Sequence, residues 1–481
     1  MKIALVSLGC SRTLVDSEVA LGSLVREGYT IVRDVEAADV AIVNTCGFIE
    51  AAKTESIETI LELCALKKKG KLSGVVVLGC LAQRYGKEIA DQIQEADAVI
   101  GTNNYGDLAK VLEPLRKQWG AVGAGLVLAH KGRPQGAPLQ RIDPKPHYLL
   151  DENTLRYSLT PDYMAYVKIS EGCINACTYC VIPKMKGPHR SRTIDSILKE
   201  IEKLSAEKDL SEINLVGQDT AAFGYDLDKT FQLPKLLRAI ARESRVPWIR
   251  LLYAHPGHVS EEMIDALAEE PRLCKYVDFP IEHSHDAMLL RMNRQVTREK
   301  MEWGIRTLRQ RMPGVSLRTT VIVGFPGETE EEFRDLLDFL KEVRFDRLGA
   351  FQFSQEEGSR AFGLPGQIPA EVRQERYNAV MALQRDISEE MNQEWVGRDI
   401  QVLVEEKTKN EKDLYSGRTE RDAPEVDGQV ILHAARVGAT GPATEASAGR
   451  RAPLLVPGQF VQARVTDALE YDLVASTAMA S

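Results

Sequence analysis

Three cysteines lie within eight positions of the stretch EGCINACTYC, at Cys173, Cys177 and Cys180. Their C-x3-C-x2-C spacing includes no histidine, and the nearest downstream histidine is His189. Zinc sites usually have four protein ligands, or three and a water, often with histidine among them. A cubane iron–sulfur cluster has four irons, so three cysteines leave one iron open to a substrate or cofactor. The spacing therefore favours chemistry at an iron–sulfur cluster over simple electron transfer.

Three further cysteines each follow a short apolar run: Cys10, Cys46 and Cys80. The runs predict strands, and the carboxyl ends of parallel strands meet at the edge of a sheet where ligands bind. A glycine adjoins each cysteine, which would let a bulky ligand approach the backbone closely. The alternative is that these cysteines are buried packing residues, as free cysteines often are. Their matching topological positions favour a shared ligand site.

The region that contains Cys10, Cys46 and Cys80 has apolar strands that alternate with amphipathic helices. The predicted strands are 2–9, 39–46, 73–80 and 96–101, and the predicted helices are 12–28, 48–69, a segment near 86–95, and 105–118. This alternation predicts a doubly wound parallel α/β domain over residues 1–118. Residues 119–158 are rich in glycine and proline, which predicts a linker.

The C-x3-C-x2-C set follows the first strand of a second α/β region, predicted over residues 159–393. Its predicted strands are 165–170, 211–220, 248–256, 276–283, 316–327 and 347–354, and its predicted helices include 193–208, 233–243, 260–269, 297–311 and 329–343. Six such units indicate a partial (β/α)6 barrel, because a full eight-fold barrel needs more chain. Residues 394–481 have short strands and glycine turns, which predicts a small all-β barrel, with 435–453 as a flexible loop.

The composition is that of a globular protein, with 481 residues, 44% hydrophobic residues and a formal net charge of −9. No apolar run reaches the roughly 18 residues of a membrane helix. The amino terminus lacks the features of a signal peptide, and we expect a cytoplasmic protein with no membrane partner. The acidic total disfavours generic nucleic-acid binding and suits a basic protein partner.

The cysteine cluster after the first barrel strand resembles that of the radical S-adenosylmethionine (SAM) enzymes. The further three-cysteine set in a preceding α/β domain, together with a small carboxyl-terminal barrel (TRAM-like), is similar to the methylthiotransferase family. The resemblance implies two 4Fe-4S clusters, an auxiliary one at Cys10, Cys46 and Cys80 and a radical SAM one at Cys173, Cys177 and Cys180. It implies that SAM serves both as methyl donor and as the source of a 5′-deoxyadenosyl radical. No catalytic residue is assigned beyond the cluster ligands.

Within this family the sequence resembles the branch that methylthiolates the β-carbon of an aspartate in the twelfth protein of the small ribosomal subunit (S-twelve). The resemblance is carried by residues 168–187, 353–369, 373–388 and 416–428. One departure is Glu282, where the family usually carries glutamine. The resemblance further implies an electron donor such as flavodoxin or ferredoxin, and a sulfur source.

Two alternative functions compete with this hypothesis. The first is a methylthiotransferase acting on tRNA (N6-isopentenyl or threonylcarbamoyl adenosine). Residues 396–481 carry ten basic and thirteen acidic residues, and this acidic balance suits a basic ribosomal protein better than tRNA. The second is a non-catalytic iron–sulfur electron carrier, which two sets of only three cysteines disfavour.

Three residues at the ends of barrel strands are candidate SAM contacts: Gly217, Gln218 and Gly324. For Gly217 and Gln218, a purely structural role in a polar turn at residues 217–219 is an equally good interpretation. Thr329 and Glu332 predict a helix capping box. The remaining cysteines, Cys64 and Cys274, are predicted to be packing residues. Three histidines at strand ends have either a structural or a pocket-lining role: His255, His283 and His285.

Overall fold

A parallel sheet of six strands forms the amino-terminal part of the computed structural model, which describes residues 1–123, 138–408, 411, 413–434 and 454–477. Its strands are β1 (Lys2–Ser7), β2 (Thr30–Ile31), β3 (Val40–Thr45), β4 (Gly74–Gly79), β5 (Ala98–Ile100) and β6 (Leu139–Arg141), in the order β2-β1-β3-β4-β5-β6. The helices are α1 (Ser11–Arg26), α2 (Glu50–Lys68), α3 (Cys80–Gln92) and α4 (Leu108–Gly123). Strands β3 and β4 are buried throughout, which is why they consist of continuous apolar runs. The predicted doubly wound domain is confirmed.

Three details of this domain differ from the sequence prediction. Helix α3 begins at Cys80 and not near residue 86. It bends at Tyr85, where φ is −127° and ψ is 26°, and the predicted helix corresponds to the part after the bend. Two short edge strands, β2 and β6, were not predicted. Strand β6 lies within residues 119–158, so part of that segment pairs with β5 at the sheet edge.

The two isolated cysteines are buried, as predicted. Cys64 is 6% exposed and Cys274 is 3% exposed. Helical spacing groups Cys64 with Ile57, Ile60 and Leu61 on one predicted core face. Of these three, Ile60 is buried, but Ile57 and Leu61 are 41% and 51% exposed, so that predicted face is wrong. Because α2 has apolar residues on more than one side, sequence spacing alone could not identify the buried face.

The second region has six parallel strands arranged in two sheets, ordered β11-β10-β7 and β12-β13-β14. They are β7 (Met164–Lys168), β10 (Glu212–Val216), β11 (Trp248–Leu251), β12 (Tyr276–Asp278), β13 (Ser316–Val323) and β14 (Arg347–Gln352), and the antiparallel pair β8 (Ser170–Glu171) and β9 (Arg190–Ser191) follows β7. The helices are α5 (Ile182–Lys186), α6 (Ile194–Glu207), α7 (Tyr225–Asp228), α8 (Leu233–Glu243), α9 (Glu261–Glu269), α10 (Asp286–Arg291), α11 (Arg298–Arg311), α12 (Glu330–Val343) and α13 (Ala370–Gln393). The predicted six-strand partial barrel is confirmed, as is the capping box at Thr329 and Glu332.

Helix α13, at 24 residues, was not among the predicted helices. Its buried stripe includes Arg376, Gln384, Ser388 and Asn392, which are polar. Gln384 donates to the carbonyl of Phe345 at 2.9 Å and to the hydroxyl of Ser388 at 3.0 Å, so its buried amide is held by hydrogen bonds. A stripe of this kind gives no hydrophobic periodicity for a sequence pattern to detect.

The carboxyl-terminal part is a closed five-stranded barrel, as predicted. Its strands are β15 (Asp399–Lys407), β16 (Leu414–Arg418), β17 (Val430–His433), β18 (Phe460–Ala468) and β19 (Leu473–Thr477), in the order β15-β16-β17-β19-β18. Strand β16 was not predicted, and the predicted loop 435–453 lies outside the described residues. None of the helices in the described ranges combines the length and apolar character needed to cross a membrane.

Buried ion pairs attach this small barrel to the amino ends of the central strands. Glu212, the first residue of β10, accepts hydrogen bonds from Arg250 at 2.7 Å and from Arg418 of β16 at 2.6 Å. The side chain of Glu212 is fully buried. Removing it would leave two guanidinium groups buried without their shared carboxylate.

We therefore expect Glu212→Ala to lower the free energy of unfolding by about 3–5 kcal/mol, the usual cost of breaking a buried pair. Urea unfolding followed by circular dichroism measures the change. Glu269→Ala is the matched control, because Glu269 pairs with Arg238 on the surface and exposed pairs contribute little. Equal losses in the two variants would contradict the assignment.

Candidate metal centre

All six cysteines of the two sets line one cavity of about 280 Å³. Cys10, Cys46 and Cys80 reach it from the edge of the amino-terminal sheet. Cys173, Cys177 and Cys180 reach it from the loop that follows β8. None of the six forms a disulfide. The structure therefore brings together two groups of thiols that belong to different domains.

The first triad consists of Cys10, Cys46 and Cys80. It is assembled by the parallel register of three neighbouring strands. Ser7 of β1 pairs with Asn44 of β3, and Thr45 of β3 pairs with Gly79 of β4. Each cysteine follows its strand by one to three residues. Because the strands are adjacent and run in the same direction, their carboxyl ends and the cysteines converge at one edge.

The glycines beside these cysteines make room for neighbouring backbone. A Cβ added at Gly47 would lie 2.8 Å from the Cα of Leu81, and one at Gly79 would lie 2.8 Å from the carbonyl oxygen of Thr45. Gly79 also has a φ of +106°, which L residues rarely adopt. The sequence interpretation gave these glycines a ligand-facing role. The structure shows that they let the strand ends pack together.

Two residues donate toward sulfurs of the second triad, which consists of Cys173, Cys177 and Cys180. Asn175 donates to the sulfur of Cys173 from its backbone nitrogen at 3.4 Å, and its side-chain amide donates to Asp219 at 2.7 Å. Arg294 Nη1 lies 3.8 Å from the sulfur of Cys177. These contacts favour negative charge on the sulfurs, as in thiolates bound to a metal.

Each triad consists of cysteine alone. Soft thiolates in groups of three suit an iron–sulfur cluster, whose irons are ligated at separate corners. A structural zinc site usually has four protein ligands. The chemistry of both donor sets is therefore compatible with iron–sulfur ligation.

The thiols differ in acidity before any metal binds. Burial raises the pKa of Cys80 to about 12 and that of Cys173 to about 11. Burial also acts on Cys10, but the charge and hydrogen bond of Arg12, with hydrogen bonds from Thr13, outweigh it and lower the pKa of Cys10 to about 6. Near pH 7, Cys10 is therefore a thiolate and Cys80 a thiol.

Metal-free protein treated with iodoacetamide at pH 7 should accordingly be alkylated much faster at Cys10 than at Cys80, since the thiolate is the nucleophile. Lowering the pH through about 6 should suppress the reaction of Cys10. Peptide mapping by mass spectrometry measures both rates. Equal labelling of Cys10 and Cys80 at pH 7 would contradict these acidities.

The candidate SAM contacts fall in different places. Gln218 lines the cavity and donates to Glu171 at 3.0 Å. The carbonyl of Gly217 accepts a hydrogen bond from Arg12 at 3.0 Å. Gly324 is not part of the cavity wall; a Cβ there would meet the side chain of Arg373 at 2.3 Å.

The sequence left His255 and His283 open between structural and pocket-lining roles. His255 lines the cavity, whereas His283 is buried against Glu328 at 3.3 Å. Glu282 also lines it, with a φ of +68°, and burial raises the pKa of its carboxyl. Arg12 and Arg294, which the sequence analysis did not identify, complete the polar wall. A left-handed φ at a residue other than glycine is strained and is common at functional sites, but sequence gives no sign of it.

Three sequence families match the chain. The Radical SAM superfamily matches residues 167–340, the uncharacterized protein family UPF0004 matches 2–101, and the TRAM domain matches 396–477. The structure is also similar to that of the radical S-adenosylmethionine methyltransferase TsrM from Kitasatospora setae, with a TM-score of 0.52 and 19% identity over 73% of this chain and 74% of that one. This likeness concerns the fold alone.

Several relatives that match over nearly their full length carry the name ribosomal protein uS12 methylthiotransferase RimO. The protein of this name from Desulforamulus reducens is 43% identical over 99% of both chains. That from Clostridioides difficile is 42% identical over 98% of both chains, and that from Myxococcus xanthus is 41% identical over 98% of this chain and 90% of its own.

Proposed function

The chain belongs to the RimO family of ribosomal protein uS12 methylthiotransferases, and from this premise we propose that it adds a methylthio group to the β-carbon of an aspartate in uS12. The observation that carries the proposal is the single cavity lined by both cysteine triads. A reaction that joins sulfur to an unactivated carbon needs a radical source and a sulfur-bearing group within reach of the same atom. One shared cavity meets that need.

Each triad is assigned one 4Fe-4S cluster in this proposal. Cys10, Cys46 and Cys80 would hold the auxiliary cluster, and Cys173, Cys177 and Cys180 the radical SAM cluster. When bound, SAM supplies a methyl group for sulfur and, with an electron from the second cluster, a radical that removes hydrogen from carbon. The proposed domains are 1–118 for the auxiliary cluster, 119–158 as connection, 159–393 for the radical core and 394–481 for substrate binding.

The side chains of this protein have three tasks in that reaction. Asn175 and Arg294 donate hydrogen bonds to cysteine sulfurs of the second triad. Lys186, buried between Asp16 and Glu171, ties the amino-terminal domain to the barrel. The apolar side chains of Phe48, Ile182 and Met185 line part of the cavity wall. They limit the water and stray hydrogen donors that can reach a radical.

The partners follow from the same proposal. A basic ribosomal protein suits the acidic carboxyl-terminal barrel by electrostatic complementarity. An electron donor such as flavodoxin or ferredoxin would reduce the second cluster, and a separate sulfur source would supply the auxiliary one. A tRNA substrate is disfavoured by the same acidic charge.

The direct test is mass spectrometry of uS12 from cells with and without the gene for this chain. The proposal expects one added methylthio group on an aspartate of uS12, present only with the gene, and no change in tRNA adenosines. Loss of a methylthio group from tRNA with uS12 unchanged would overturn it.

A further inference from the structure

Resting on the proposed function, the substrate aspartate must bring a negatively charged side chain into the cavity. A carboxylate taken out of water is costly unless a cation or several donors meet it. The cavity wall has three cationic side chains: Arg12, Lys186 and Arg294. Their existing partners decide which of them is available.

Lys186 is already neutralised. Its ammonium lies 2.8 Å from the carboxylate of Asp16 and 3.8 Å from that of Glu171. All three side chains are more than nine-tenths buried. A substrate carboxylate at this point would face two fixed negative charges.

Arg294 is also engaged. Its Nη1 lies 3.8 Å from the carboxylate of Glu282 and 3.2 Å from the hydroxyl of Tyr179, and its Nη2 donates to the carbonyl of Pro280. Glu282 faces the same cavity and would repel a second carboxylate beside it. This guanidinium is therefore occupied by groups of the protein itself.

Arg12 differs from both, because its anionic neighbour is the sulfur of Cys10 and not a carboxylate. Within the described part of the chain, no carboxylate lies within 4.0 Å of its guanidinium and no acceptor is bonded to its Nη2. Its Nε donates to the sulfur of Cys10 at 3.4 Å and its Nη1 to the carbonyl of Gly217 at 3.0 Å. The central carbon of its guanidinium lies 4.3 Å from the centroid of the Tyr253 ring. The guanidinium is thus fixed in orientation with one donor edge unused.

The position of Arg12 suits a residue that acts between the two triads. It follows Cys10 by two residues, and its other hydrogen bond reaches the barrel strand end next to Gln218. A substrate carbon must lie between the radical source and the sulfur-bearing group. A carboxylate bound to Arg12 would place the adjacent β-carbon in that interval.

We propose that Arg12 binds the side-chain carboxylate of the substrate aspartate and thereby selects aspartate over asparagine. Arginine suits this role because its planar fork can donate to a carboxylate while other nitrogens remain bound to the protein. The selectivity arises because the neutral amide of asparagine carries no charge to attract the guanidinium, and it offers the unused edge one acceptor oxygen where a carboxylate offers two.

The test uses cluster-loaded full-length enzyme with uS12 that carries either aspartate or asparagine at the modified position. Dissociation constants are measured for wild type, Arg12→Gln and Arg12→Lys, with iron content checked in each. Wild type should bind the aspartate form about 100-fold more tightly or better, and Arg12→Gln should lose most of that ratio, as when one partner of a buried charge pair is truncated. Arg12→Lys should retain part of it. Arg26→Gln, at the exposed end of the same helix, is the matched control and should behave as wild type.

Retention of the full aspartate preference by Arg12→Gln would overturn the inference while leaving the proposed function intact. If Arg12→Gln lost iron, the dissociation constants of Arg12→Lys would decide. An equal weakening for the aspartate and asparagine forms of uS12 would overturn the inference. A weakening for the aspartate form alone would support it. Failure of wild type to modify uS12 at all would instead refute the function, and the inference with it.

Discussion

Replacing Cys177 with alanine is expected to abolish the reductive cleavage of SAM, whereas replacing Cys46 should leave cleavage measurable and remove the methylthiolated product. Cys177 is a ligand of the triad assigned to the radical cluster, and loss of one of only three ligands destabilises that cluster. Cys46 belongs to the triad assigned to the auxiliary cluster, which handles sulfur. Deoxyadenosine and modified uS12 are quantified by mass spectrometry from the same reaction.

Cys64→Ala is the matched control for both variants. Cys64 lies in the same domain as Cys46, is buried in α2, and is not part of the cavity wall. It should retain both SAM cleavage and product formation. Full product formation by Cys46→Ala would refute the division of labour between the triads.

Replacing Gly79 with alanine is expected to remove the auxiliary cluster while leaving the radical one. The added Cβ would lie 2.3 Å from Asn44 Oδ1 and 2.8 Å from the backbone of Thr45. Gly79 also has a φ of +106°, which costs an L residue on the order of 1–3 kcal/mol. Because Cys80 is the next residue, the backbone shift that relieves the clash moves its sulfur away from Cys10 and Cys46.

Iron analysis should show about half of the wild-type iron in Gly79→Ala, with SAM cleavage preserved and no methylthiolated uS12. Gly70→Ala is the control that separates the strain of a positive φ from the steric collision of the added Cβ. Gly70 also has a positive φ, of +75°, but a Cβ there would meet nothing within 4 Å. It should keep the full iron content. Wild-type iron and product in Gly79→Ala would show that the close packing of the strand ends is dispensable.

Much of the fold was predictable because the parallel strands are buried on both faces. Strands β3 and β4 have the sequences VAIVNT and GVVVLG, and such apolar runs are typical of strands in a buried parallel sheet. Their topology then predicted that Cys46 and Cys80 would meet at one edge, and they do. The cysteine spacing at 173–180 predicted the second group in the same way.

The rest of the cavity wall depends on contacts that sequence does not encode locally. Arg12 meets Gly217 across 205 residues, and Lys186 meets Asp16 across 170. Gly324 follows a strand as Gly217 does, yet it lies against Arg373 and away from the cavity. Sequence position could identify strand ends, but it could not show which of them face the cysteines.

The count of iron atoms tests the central claim most directly. Protein purified without oxygen and fully reconstituted should bind about eight iron atoms per chain, four for each triad. Cys46→Ala and Cys177→Ala should each reduce the count to about four, and the two substitutions together should remove nearly all of it. A saturated wild-type count of about four would contradict the account, because only one triad would then hold a cluster.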